Sequence, residues 1–125
     1  MITGFSHIQL VVSDLDASAG WYRDVLGLEQ FAAGAMTAGG RYCALRHPGA
    51  RFVVGLQDGL APGAGAPMVQ HLSFACSSQA EIEAWRARCA ALGYDVGAVF
   101  EEAVSYNAQA RDPDGFVVEF TAPKG

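Results

Sequence analysis

The chain has 125 residues, 51% of them hydrophobic, which suffices for one small domain with an ordinary core. A formal charge of -5 with only eight Lys and Arg leaves no basic stripe to neutralise phosphates, which argues against nucleic-acid binding. No apolar run approaches the roughly 20 residues that span a bilayer, and the first residues lack a basic stretch followed by an apolar one. A cytoplasmic protein with no membrane partner is expected.

Phe5 to Val12 alternates and ends β-branched, so it reads as a strand. Ser13-Asp14 supplies helix caps, and Leu15, Ala19, Tyr22 and Leu26 recur at helical spacing until Gly27. Glu29 to Ala33, Arg41 to Arg46 and Phe52 to Gln57 read as three strands, parted by a Gly-rich stretch at 34–40 and a Pro48-Gly49 turn. Asp58 to Pro67, rich in Gly, Ala and Pro, reads as a linker. The order then recurs: a strand at Val69 to Cys76, a helix at about Gln79 to Leu92 closed by Gly93, and strands near 96–102, 105–111 and 116–121. Cys43, Cys76 and Cys89 form no C-x-x-C pair and read as buried small hydrophobes in a reducing compartment.

The chain contains itself twice. A shift of 64 positions lays His7 on His71, Trp21 on Trp85 and Phe52-Val53-Val54-Gly55 on Phe116-Val117-Val118-Glu119. The offset grows to 66 at Leu26-Gly27-Leu28 against Leu92-Gly93-Tyr94, predicting a second helix longer by two. It returns to 65 at the turns Arg46-His47-Pro48 and Arg111-Asp112-Pro113. The expected fold is α+β: one domain over 1–125, made of two tandem β-α-β-β-β modules (about 1–57 and 69–125) that form a curved sheet with helices outside.

Strand parity then sorts the faces. His7 and Gln9 oppose Ile8 and Leu10; His71 and Ser73 oppose Leu72 and Phe74; Glu119 opposes Val118 and Phe120. His7, His71 and Glu119 thus fall on one polar side, while the fourth equivalent corner, Gly55, has no side chain. Two imidazoles and one carboxylate form the facial arrangement suited to iron, manganese, cobalt, nickel or zinc, with positions left for substrate. Taken singly, a strand His or Glu is more often structural or solvated. The competing reading is a metal-free protein in which His7 and Glu119 only hydrogen-bond.

Gln9, Tyr42, Ser73, Asn107 and Gln109 should line the same cavity by parity or repeat equivalence, giving donors and acceptors with little charge for a small-molecule substrate. Trp21 and Trp85 read as core, Arg46 and Arg111 as turn supports, and His47 as exposed and idle. With the triad assigned, no other carboxylate or His stands out as a general base, so either Glu119 itself is the catalytic proton acceptor or the substrate is activated by chelation alone.

Three stretches resemble the vicinal oxygen chelate superfamily, which includes glyoxalase I, type I extradiol dioxygenases, fosfomycin-resistance thiol transferases, methylmalonyl-CoA epimerase and bleomycin-binding proteins. They are His7 to Leu15 running into Trp21 to Leu28, then Gln70-His71-Leu72, then Asp112 to Glu119. The resemblance implies a divalent metal held by His7, His71 and Glu119, a substrate chelating it through adjacent oxygens, and a homodimer in which the site lies within one chain or across two. Gly55 stands where glyoxalase I is expected to place a fourth ligand, and Gln109 where extradiol dioxygenases place a Tyr. The implied function is a metal-dependent lyase, isomerase or oxygenase. Its alternative is a metal-free, drug-sequestering protein of the bleomycin-resistance type, and a scaffold with a vestigial site is a third reading.

Overall fold

Asp14 sits in extended backbone and its carboxylate accepts the N–H of Ala17 at 3.0 Å, satisfying a donor that the first helical turn cannot use. That cap starts helix α1 (Leu15–Leu26), which ends at Gly27, left-handed at φ 69°. Only a residue without Cβ takes that conformation cheaply, and it lets the Gly27 N–H close on the Arg23 carbonyl at 2.9 Å. These are features of a computed structural model that describes residues 7–36, 39–59, 71–102 and 105–125. Most of the expected linker and the starts of the two leading strands lie outside those residues. No helix among them is long and apolar enough to cross a membrane.

By internal contacts the chain divides into two compact units, 1–68 and 69–125. In the first, β1 (His7–Val11), β2 (Glu29–Ala35), β3 (Arg41–Arg46) and β4 (Val53–Gln57) form a sheet ordered β1-β4-β3-β2, with β1 and β4 parallel and the other pairs antiparallel. Helix α1 covers one face of β3 and β4, burying Leu15, Trp21, Tyr22 and Val25 in a core shared with Leu45, Val54 and Leu56. Trp21 meets Tyr22 edge-on at 4.9 Å, the core role expected of it.

The second unit repeats the plan. Ser78 caps helix α2 (Gln79–Ala91), its hydroxyl accepting the Glu81 N–H at 3.3 Å while the Glu81 carboxylate accepts the Ser77 N–H at 2.6 Å, close to a capping box. Strands β5 (His71–Ala75), β6 (Phe100–Glu101), β7 (Ser105–Arg111) and β8 (Val117–Pro123) are ordered β5-β8-β7-β6, with β5 and β8 parallel. Helix α2 buries Ile82 and Cys89 over β7 and β8 and lays the Trp85 ring flat on Phe120, at 5.2 Å and 6°.

Four sequence expectations need correction. Helix α2 is one residue longer than α1, not two, because Leu92, the counterpart of Leu26, leaves the helix as its cap ahead of left-handed Gly93. Strand β2 runs on through Gly34 and Ala35 because the Tyr42 ring lies over Gly34, where a Cβ would come within 3.0 Å of it. The strand expected at 96–102 shrinks to Phe100–Glu101. Val96 bridges to Ala110, after which one extra residue enters before Phe100 pairs with Asn107. The first unit has its own irregularity in the same place, a bulge at Phe31.

His47, finally, is not idle. Its Nδ1 accepts the N–H groups of Gly49 at 3.0 Å and Ala50 at 2.8 Å, and its ring stacks on Phe52. Asp112, its repeat equivalent, accepts from Asp114 at 3.0 Å and Phe116 at 2.8 Å. An imidazole nitrogen and a carboxylate oxygen thus cap equivalent turns.

Because Asp112 is only 5% exposed and its carboxylate is the acceptor for two backbone donors, Asp112→Ala is expected to cost about 2 kcal/mol by urea denaturation, with His47→Ala costing less. All three cysteines are free and buried, and burial pushes each thiol above its ordinary range. A thiol reagent at mildly alkaline pH should therefore label none in the native protein and three after unfolding.

Candidate functional site

A parallel strand pair sets residues of two strands side by side on one face, and on the helix-free face of the second unit it joins Ser73 to Glu119. Antiparallel pairing brings Gln109 to Glu119 from the other side. Both neighbours bond the carboxylate: Ser73 Oγ donates to Oε1 at 2.9 Å and Gln109 Nε2 donates to Oε2 at 2.9 Å. Two neutral donors orient Glu119 without cancelling its charge, and among the described residues no Lys or Arg pairs with it. His71, at the head of β5, puts Nε2 3.7 Å from Glu119 Oε1. That is too long for a hydrogen bond.

The spacing suits two ligands of one ion. Donors bonded to a metal at about 2.1 Å stand roughly 3.0–3.4 Å apart, so small side-chain shifts would close this pair on a cation. Ser73 and Gln109 then play the outer-shell part, fixing the carboxylate's orientation. By chemistry and spacing the pair fits a divalent metal. Among the described residues no three His, Cys, Asp or Glu side chains gather into a ready-made cluster. His7 belongs to the first unit, at the head of β1, in the position that His71 takes in the second.

The first unit answers the second with its bulk reversed. Gln9 and Gly55 are register partners there, as Ser73 and Glu119 are in the second unit. The Gln9 amide lies over Gly55, where a Cβ would come within 2.0 Å of Oε1, and it donates to Gln57 Oε1 at 3.1 Å. A Cβ at position 55 would therefore displace the Gln9 amide, the mobile end of an exposed side chain. Of the other expected substrate-contact residues, Tyr42 lies opposite Gln57 in register, with its ring over Gly34. Asn107 is 2% exposed and donates to Ser105 Oγ at 3.0 Å, so its amide supports the sheet face.

Sequence reasoning missed Asp95. Val96 bridges to Ala110, and the Gly97 N–H reaches the Gln109 carbonyl at 2.9 Å, so the segment before β6 runs as a partial extra strand. Alternation turns Asp95 toward the face that carries Gln109 and Arg111, where the three line one cavity. Its signal was the offset of 66, which equates Asp95 with Glu29 of the first unit.

The sequence profile of the Glyoxalase/Bleomycin resistance protein/Dioxygenase superfamily matches residues 4–120. A glyoxylase/bleomycin resistance protein/dioxygenase domain from Frankia sp. EAN1pec is 25% identical with a TM-score of 0.84, the match covering 99% of this chain and 100% of that one. Lactoylglutathione lyase from Agrobacterium tumefaciens is 26% identical with a TM-score of 0.76, covering 97% and 94%. A mutant fosfomycin resistance protein from Listeria monocytogenes, crystallised with Mn(II) and 1S,2S-dihydroxypropylphosphonic acid, is 19% identical with a TM-score of 0.78, covering 99% and 95%. The last is a likeness of fold alone. No curated protein sequence matches the chain.

If Gln9 holds Gly55 as glycine, the two positions are coupled. Gly55→Ala should be neutral or destabilising in the parent, because it evicts the amide, yet stabilise the Gln9→Ala variant by about 0.5–1 kcal/mol. Urea denaturation of the four proteins of the cycle measures it, and strict additivity would count against the steric account.

Proposed function

Since the chain belongs to the Glyoxalase/Bleomycin resistance protein/Dioxygenase superfamily, we propose that it is a metal-dependent enzyme acting on a small oxygenated substrate, with His7, His71 and Glu119 as metal ligands. The observation that carries this reading is the 3.7 Å approach of His71 to a carboxylate steered by Ser73 and Gln109. Steering an anion by neutral donors leaves its charge for something else, and a divalent cation is the partner that imidazole and carboxylate share. When bound, such an ion supplies Lewis-acid polarisation of a chelating oxygen.

The chain's own residues do the rest. Ser73 and Gln109 hold Glu119 in one orientation, and Glu119, the carboxylate beside His71, doubles as a proton acceptor. Gln9 and Gln57 offer the substrate amide donors and acceptors without net charge. That surface suits a neutral or zwitterionic molecule better than a phosphate ester. The donor set serves lyase, isomerase and oxygenase chemistry alike.

Mn(II) titration of apo-protein tests the proposal. One ion per chain is expected, with binding lost in His71→Ala and Glu119→Gln, reduced in His7→Ala, and weakened about 10- to 100-fold in Ser73→Ala or Gln109→Ala. No Mn(II) uptake, together with bleomycin binding that is unchanged in His71→Ala, would replace the enzyme with the metal-free binder.

A further inference from the structure

The two units are repeats, so each serves as the other's control, and they differ beside β7. In the first unit Arg46 reaches Glu29 at 4.0 Å and lies over the Phe31 ring, 5.6 Å from its centroid. The corresponding residues of the second unit are Arg111, Asp95 and Gly97. Aspartate is one methylene shorter than glutamate, and glycine removes the ring altogether. The outcome is an opening: a cavity of about 220 Å³ lined by Asp95, Gly97, Gln109, Arg111 and Val117.

Its two charges are not spent on each other. Among the described residues Asp95 makes no hydrogen bond or ion pair, and Arg111 makes one bond, from Nη1 to the Gly115 carbonyl at 3.1 Å. That bond anchors the guanidinium on the Asp112–Gly115 turn while its other N–H groups are unused. A larger cavity in the first unit, about 420 Å³, contrasts with it, because Arg41 there already has Asp16 at 3.5 Å and Asp58 at 3.8 Å.

We infer that the cavity of the second unit is a recognition subsite for the zwitterionic head group of an α-amino acid or a close relative, Arg111 taking the carboxylate and Asp95 the ammonium. An anion alone would meet Asp95, and a cation alone would meet Arg111. A neutral molecule would engage neither charge, both of which stand exposed at the cavity's rim. A ligand carrying both charges satisfies both walls at once. The volume is below the roughly 300–1,000 Å³ of pockets for drug-sized ligands, so a head group fits and a whole antibiotic does not.

The position makes the subsite useful. Gln109 forms one wall and at the same time donates to Glu119, and Val117 is the register partner of His71. A head group seated here would present the rest of its molecule to the His71–Glu119 pair. In that respect alone the inference rests on the proposed metal reading.

Nitrogen-15 NMR titration of the full chain with L-alanine, propionate and ethylammonium separates the two. L-alanine should give saturable shifts at Gly97, Gln109 and Arg111, and bind about tenfold more tightly than either singly charged probe. Asp95→Asn and Arg111→Gln should each weaken it about tenfold, and Gly97→Phe, which restores the ring of the first unit, should abolish it. Absence of saturable shifts, propionate binding as tightly as L-alanine, or an undiminished response in Asp95→Asn overturns the assignment. Mn(II) titration of the same samples reports on the metal reading independently, so either can fail alone.

Discussion

Two residues that face each other across a parallel strand pair share one volume, and both halves of this protein are organised around that constraint. Where the last strand carries Glu119, its partner is the small Ser73; where the first strand carries Gln9, its partner is Gly55. Each unit has room for one long polar side chain at this point. Each spends it differently, the first on an amide bonded to Gln57 and the second on a carboxylate bonded to Ser73 and Gln109. In the first sheet the Gln9 amide thus comes from the strand that in the second sheet partners the carboxylate's, and it lies over a residue without a side chain.

Around that constraint the repeated scaffold holds its geometry with chemically different parts. A turn capped by the His47 ring nitrogen has its counterpart in one capped by the Asp112 carboxylate. Helix α1 packs many large side chains, whereas α2 buries little besides Ile82, Cys89 and the face of Trp85. Backbone requirements persist because they are set by the ladder and the turns. Side chains are free to diverge as long as each satisfies the same donors and fills the same space.

That freedom has concentrated chemistry in the second unit. It holds the steered carboxylate, the imidazole beside it, and an Asp and Arg that have come apart around a cavity. The first unit keeps the 4.0 Å approach of Arg46 to Glu29, the Phe31 ring and the paired amides. Among the described residues the second unit thus leaves Asp95 and most of the Arg111 guanidinium unpaired, where the first unit pairs Glu29 with Arg46.

Much of this was legible from residues alone. The duplication, both helices with their closing glycines and the Asp14 cap of the first, and the face shared by Ser73, Gln109 and Glu119 follow from period, parity and offset, which are local properties of the backbone. What the order of residues could not decide were distances between side chains, and here tertiary packing chose. It set Gln9 over Gly55, turned His47 into a turn cap, withdrew Asn107 into its sheet face and aimed Asp95 at the face of Gln109. The reason is physical: periodicity says which side of a strand a group faces, but whether it bonds a neighbour, fills a gap or is left unmatched depends on packing, whether the partner lies 48 positions away, as Gln57 does from Gln9, or two, as Ser105 does from Asn107.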